Sequence, residues 1–506
     1  MTPASRAARR SPLSASAGRR SAFLAPTLAA AILVLGSCAT KGPAPEPSPA
    51  PDPTAGSAGA AGAAGTAVRP LPATGLAHAP AERPPSAFLA RALAATSSKT
   101  YGNGATLLAR RLSGRSVAAA EIVLAASGST VPKGKDGIEA LALALAARGG
   151  AAAAGSIPRL AGAAGGSLEI KALSYDAVGL ELVAPRESFL PLLEAILAAL
   201  AEPGFAESDY LAVMRDFRVA ELKASGDPLL LAAKRLRAEL FRGHPYALAP
   251  LGTGGSLLAL GREEVAAYYK KSVGAERLAL VIAGDFDWSE LEPRLGGALE
   301  RLPRRGPGAA PLPVVAWEKK ELAEDLPGPA LAYLRADFAA PPAASPDFAA
   351  LEIALAMLDD LLAEELRGAK PLAYGAWSRL SGAAFPSGSL VAERAGDPAA
   401  ARAGMLRAVE LLRSGRCLAI GRNGGGLAPL GESLEAYKAR AVARLYGRAD
   451  GAADIALRMA RDLAAGGDGS GFVRLADRLA AVDAEDILRV ARERLDPAGF
   501  AWSLVY

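Results

Sequence analysis

The 506-residue chain carries 57 Lys+Arg against 52 Asp+Glu, with two histidines and two cysteines. Five of those cations (Arg6, Arg9, Arg10, Arg19, Arg20) lie in positions 1–37, which hold no acid, so the rest of the chain balances at 52 against 52 and the basic pI gives no reason to expect a nucleic-acid surface. His78 in a Pro/Ala-rich stretch and His244 in an HPY turn cannot supply two imidazoles at helical spacing, whereas a zinc ion needs three or four N, S or O ligands converging at about 2 Å.

In chain order, the apolar run Phe23 to Leu35 follows a basic flank, is too short to span a bilayer as a stable helix, and reads as an export signal. It ends Leu35-Gly36-Ser37-Cys38, which resembles the bacterial lipoprotein processing box. That resemblance implies a signal peptide over 1–37, lipidation of Cys38, and a lipid-anchored protein on the periplasmic side of the cell envelope. Ala39 after the cysteine points to the outer membrane over the inner. With Cys38 so used, Cys417 has no disulfide partner and reads as a small, partly buried packing residue. Residues 38–88, rich in Pro, Ala and Gly, cannot bury enough apolar surface to offset the entropy of ordering and read as a tether.

Folded sequence is expected from near Gly102, where alternation over Thr106–Arg111 and Ala118–Ala125 predicts a hairpin. A helix follows in Gly137–Gly150. Next comes a strand pair in which Leu168, Ile170 and Ala172 face one way and Val178, Leu180 and Leu182 answer them. Phe189 to Leu200 has the spacing of an amphipathic helix. Placing Glu264-Val265 over Asp486-Ile487 aligns EEVAAYYKKSVGAERLALVI with EDILRVARERLDPAGFAWSL without a gap, Val273 meeting Leu495 and Leu278 meeting Phe500. A repeat this long predicts two similar domains, 89–302 and 318–506, joined through 303–317, where Pro303–Pro313 interrupts both periodicities.

The helix GIEALALALAARGG agrees in frame, at Gly137, Leu141 and Gly149, with a helix of the insulinase, pitrilysin and mitochondrial processing peptidase family. There the inverted zinc motif H-x-x-E-H falls on Ala140, Leu143 and Ala144, so ligands and catalytic base are absent. Asp227-Pro228, His244-Pro245-Tyr246, Gly252-Thr253 and Ala283-Gly284-Asp285 resemble the family's first half; on its own chemistry each is a turn-forming cluster, and His244 reads as a turn residue. Glu221 lies 77 positions after Ala144, the place of the family's third zinc ligand. Without the histidines it reads as one more solvated helix carboxylate. Leu366-Arg367 and Leu372-Ala373-Tyr374 resemble the segment whose arginine and tyrosine reach the bound peptide, although Gly368 and Pro371 depart from it and the preceding glycine-rich loop is replaced by LDDLLAEELR. Guanidinium and phenol are donors suited to peptide carbonyls.

The resemblance implies an α+β clamshell half: two homologous processing-peptidase (LuxS/metalloenzyme-like) domains, each an antiparallel-rich sheet packed with helices. It implies no bound cofactor and no activity alone, zinc belonging to active relatives. The reading that follows is a non-catalytic subunit that offers Arg367 and Tyr374 to peptide beside a related zinc-bearing subunit. The alternative is a scaffold or peptide-binding lipoprotein with no proteolytic role. A hydrolase by other means would need a nucleophile and base, and no histidine sits near a serine or cysteine motif.

Overall fold

The computed structural model describes residues 85–125, 128–150, 156–306, 313, 315, 317, 319–324, 331–368, 371–381, 383–420 and 425–506. The expected signal peptide, Cys38, His78 and most of the expected tether lie outside the described residues. Residues 76–506 group into one body.

The first half contains helices α1 (Pro85–Ala94), α2 (Ile138–Ala146), α3 (Ile157–Ala163), α4 (Arg186–Ala201), α5 (Glu207–Ser225), α6 (Pro228–Leu240), α7 (Gly254–Leu258), α8 (Arg262–Ser272) and α9 (Trp288–Glu300). Its strands are β1 (Thr96–Thr100), β2 (Thr106–Arg111), β3 (Val117–Ala125), β4 (Ser167–Ala172), β5 (Ala177–Pro185) and β6 (Leu278–Gly284). The second half contains strands β7 (Glu321–Glu324), β8 (Ala332–Ala339), β9 (Gly375–Leu380), β10 (Ser387–Ala395), β11 (Arg416–Leu418), β12 (Leu427–Pro429) and β13 (Ala501–Val505). Its helices are α10 (Pro346–Ala363), α11 (Pro398–Arg413), α12 (Leu430–Gly447), α13 (Ala452–Ala464), α14 (Gly471–Ala481) and α15 (Ala484–Arg494).

The two main sheets share one plan. The first runs β1-β2-β6-β3-β5-β4 and the second β7-β13-β8-β10-β9, with β2 on β6 and β7 on β13 parallel and the other neighbours antiparallel. The sequence repeat falls on this plan: α8 and α15, and the 3-10 turns Ala275–Arg277 and Pro497–Gly499, lie 222 positions apart at both ends. Val273 and Leu495 cap the two helices, and all four matched residues, with Leu278 and Phe500, are buried. The predicted strand pair forms in the expected register, Leu168 opposite Leu182, Ile170 opposite Leu180 and Ala172 opposite Val178. The predicted amphipathic helix is α4, with Phe189, Leu193, Ile196, Leu197 and Leu200 buried.

Two expectations are corrected. The chain is already structured before Gly102, since α1 packs on α14 and β1 pairs with β2; β1, TSSKT, has no apolar alternation to announce it. The predicted hairpin of Thr106–Arg111 with Ala118–Ala125 does not form, because β6 inserts between the two strands, parallel to β2 and antiparallel to β3. Alternation reports which face a strand buries and not which strand lies beside it. β6, LALVIAG, is buried at every position, the mark of a central strand covered on both faces.

The coverage of those faces ties the halves together. Leu280 and Ile282 of β6 join the core of the first half with α2, α4 and α8. Val281 and Ala283 point the other way and pack on α13 of the second half, through Ile455, Ala456, Met459 and Ala460. Reciprocally, α6 of the first half lies on β13 and β8, bringing Leu236 and Leu240 to Ala501. Each half lends a helix to the other. Cys417 is fully buried rather than partly, and burial pushes its thiol up to about 11.

Candidate functional site

The local fold around α2 explains its glycine frame. Gly137 caps the helix with φ of 85°, and a Cβ there would lie 2.6 Å from the backbone N and Cα of Gly252, itself at φ 88°. Only glycines allow this contact. Asp136 secures it by accepting from the Ala249 N–H at 2.9 Å, and Ser256 Oγ donates to the Asp136 carbonyl at 2.8 Å. Thr253 caps α7 in a reciprocal capping box with Ser256. Asp227 caps α6, and His244 Nδ1 accepts from the Tyr246 N–H at 3.0 Å, so each turn cluster has a structural duty and His244 is a turn residue as expected.

α2 itself is core. Ala140 and Leu143 are fully buried, Ala144 packs against the same cluster, and none carries a ligand atom. Among the described residues, no group of three or more His, Cys, Asp or Glu side chains could hold a metal ion. The one carboxylate of the helix, Glu139, forms a buried ion pair with Arg277 and accepts from the Gly128 N–H at 3.2 Å. Arg277 also donates to the carbonyls of Ala125 and Ser272, at 3.0 and 2.9 Å, which stitches α2 to the end of β3 and of α8. An acid two positions after Gly137 in an otherwise apolar helix was the available signal for this pair; its partner 138 positions away had none.

Glu221 is not a free solvated carboxylate. On α5 it accepts from Lys234 Nζ at 2.8 Å and Ser225 Oγ at 2.8 Å, with the Gly254 N–H beside it. The Lys234 hydrogen bond holds its carboxyl below the ordinary range. A lysine thus occupies the carboxylate that the family resemblance equates with a zinc ligand, and nothing in the spacing around Lys234 signalled that.

Arg367 and Tyr374 stand on the second half. After Ala363, α10 continues into a π-helical turn, Glu364–Gly368, so LDDLLAEELR does run on as helix. Buried Leu366 anchors the turn, its carbonyl accepting from the Leu372 and Ala373 N–H groups at 2.9 and 3.2 Å. Arg367 is exposed and makes no hydrogen bond or ion pair among the described residues. Tyr374 is 69% exposed, with Arg394 over its ring at 5.4 Å. Arg394 has φ of 53° within an irregular register of β10 between Ala392 and Ala395, the kind of bulge that re-aims a side chain. No hydrogen bond or ion pair joins either residue to Glu221.

Residues 259–404 match the family model for the peptidase M16 inactive domain. No curated protein matches the sequence. The fold is similar to that of a protease from Helicobacter pylori, 17% identical, covering 81% of this chain and 99% of that one at a TM-score of 0.68. It is similar to the peptidase M16 inactive domain from Pseudomonas fluorescens, 18% identical, covering 81% and 97% at 0.68. A chain of complex III2 from Candida albicans is 14% identical, covering 81% and 95% at 0.65. At these identities the structural likeness shows the fold alone; the family model matches residues 259–404, and α2, outside that match, carries no ligand atom at Ala140, Leu143 or Ala144.

Proposed function

We propose that the chain is a non-catalytic subunit, lipid-anchored through Cys38 on the periplasmic side of the envelope, that binds peptide beside a zinc-bearing partner of the same family. The observation that carries this reading is the pairing of an apolar, ligand-free α2 with an exposed Arg367 and Tyr374 that have no packing duty. The peptide side of the reading is supported by β4, which ends the first sheet and whose outer edge pairs with no other described strand. Such an edge accepts an added strand through its free N–H and C=O groups. Mixing the protein with the zinc-bearing relative should produce zinc-dependent peptidase activity that Arg367→Ala lowers strongly; unchanged activity in that variant removes the role given to Arg367. The lipid anchor is tested apart, since Cys38→Ser should release the protein from the membrane fraction.

A scaffold role is the second reading, and the likeness to a chain of complex III2 favours it. A neighbouring gene for a related chain with an intact H-x-x-E-H separates the two. Its absence supports the scaffold.

A further inference from the structure

The junction between the halves carries its charges unevenly. Val281 opposite Glu121 and Ser503 opposite Arg335 are 222 positions apart, as are Ala279 and Ala501 in the next register, so the common sheet plan superposes Glu121 on Arg335 and Lys171 on Arg379. The exchanged helices add Arg237 from α6 and Arg461 from α13. One sheet therefore brings Glu121, Glu181 and Lys171 to the junction, and the other brings Arg335, Asp337 and Arg379.

On the second side the cations outnumber their partners. Arg379 stands directly opposite Ser389 on the neighbouring strand, and Ser389 Oγ accepts from Arg335 Nη2 at 2.7 Å. Arg461 Nε donates to the Leu173 carbonyl at 2.7 Å, and two residues along the same turn Arg237 lies over the Tyr175 ring at 5.4 Å. Arg458, one turn before Arg461 on α13, donates to the Arg448 carbonyl at 3.0 Å. Asp337 is held by Arg335 at 2.8 Å, Glu352 faces Arg448 first and Arg458 second, Asp454 faces Arg458, and Glu121 faces Arg461. The guanidinium groups of Arg237, Arg379 and Arg448 have neither hydrogen bond nor ion pair among the described residues. Arg379, Arg448 and Arg461 are open to solvent. Desolvation lowers the pKa of Arg237, Arg379, Arg458 and Arg461, and for the last three a neighbouring arginine is the next cause. Uncompensated positive charge at a partly desolvated junction is unfavourable without an anion.

We propose that this junction between the halves binds a phosphate-type oxyanion of more than one charge, held by Arg379 and Arg461 with Arg237 behind them. Planar guanidinium forks match phosphate oxygens two at a time, and several forks at one junction favour a multivalent anion over a single carboxylate. The site is independent of the zinc-bearing partner and of Arg367.

The test is calorimetric titration of the intact protein with inorganic tripolyphosphate, with sedimentation of phosphatidylglycerol vesicles as a parallel arm. A single saturable site is expected, weakened at least tenfold by Arg379→Gln and by Arg461→Gln and unchanged by Arg159→Gln, which removes an exposed arginine elsewhere. Saturable tripolyphosphate binding without vesicle binding makes the ligand a free phosphate; vesicle binding that Arg379→Gln abolishes makes it a headgroup. Because Arg379 has no partner to lose, Arg379→Gln should unfold in urea no earlier than the parent without ligand. Absence of saturable binding in both arms, or equal binding by Arg379→Gln, overturns the proposal.

Discussion

Glu121→Gln should make the protein more stable in mild alkali while leaving it unchanged in mild acid. Glu121 sits on β3, fully buried, opposite Glu181 on β5, and neither of its oxygens has a hydrogen-bond partner. Glu181 is bound by Lys171, which leaves Glu121 as the member that keeps its proton. Burial first, and the Glu181 charge second, push its carboxyl up to about 8 from an ordinary 4.5. The folded chain therefore holds a proton that the unfolded chain releases between about pH 4.5 and pH 8, so stability falls as pH rises through that window and changes no further above it. The slope from this one group reaches about 1.4 kcal/mol per pH unit, on the order of 5 kcal/mol across the window. Glutamine keeps the shape and removes the titration. Urea unfolding of parent and variant at pH 5, 6.5 and 8.5 reads the difference directly, because all other titrating groups cancel. A difference that stays constant across the three pH values refutes the reasoning.

Breaking the buried Glu139–Arg277 pair by Glu139→Gln should cost about 3–5 kcal/mol in urea unfolding, since it leaves a buried guanidinium uncompensated; a loss below about 1 kcal/mol would show that water reaches the pair. Gly137→Ala should destabilise by about 2 kcal/mol or more, combining positive φ with a contact of 2.6 Å to Gly252, and the near-open Gly243→Ala should lose less. Installing the motif as Ala140→His, Leu143→Glu and Ala144→His should give little zinc by metal analysis until Lys234→Ala also frees Glu221; equal zinc in the triple and quadruple variants would show that Lys234 is no obstacle.

How much of this was legible follows from the range of each signal. The repeat could be read because helix, turn and strand are contiguous, and its 222-position offset survives in α8 and α15 without a residue of slippage. The β4–β5 pairing could be read because only four residues, 173–176, separate the strands that carry the complementary apolar sets. The hairpin failed because β6 comes from more than 150 positions downstream, and no local pattern in β2 or β3 registers its insertion. Ligand loss in α2 is a statement about residue types and needed no coordinates. The fates of Glu221 and Glu139 did, since Lys234 and Arg277 reach them only through the packing of α6 and α8. The junction arginines are scattered over four elements and are adjacent only because α6 and α13 are exchanged.

That exchange and the glycine frame change what the family pattern can be asked to prove. Gly137, Gly252-Thr253, Asp227 and His244 each hold a turn or a cap whose loss would disturb the first half whether or not any peptide is bound. Their agreement with the family is explained by folding alone and does not bear on a partner. Glu221 is likewise accounted for by Lys234 and Ser225. Arg367 and Tyr374 differ: Arg367 touches no partner among the described residues, and Tyr374 is mostly in solvent under one neighbouring arginine. Long exposed side chains carry rotamer entropy and offer little packing in return. The case for a bound peptide therefore rests on these two residues far more than on the intact frame, and Arg367→Ala separates the subunit reading from the scaffold reading more sharply than any substitution at α2.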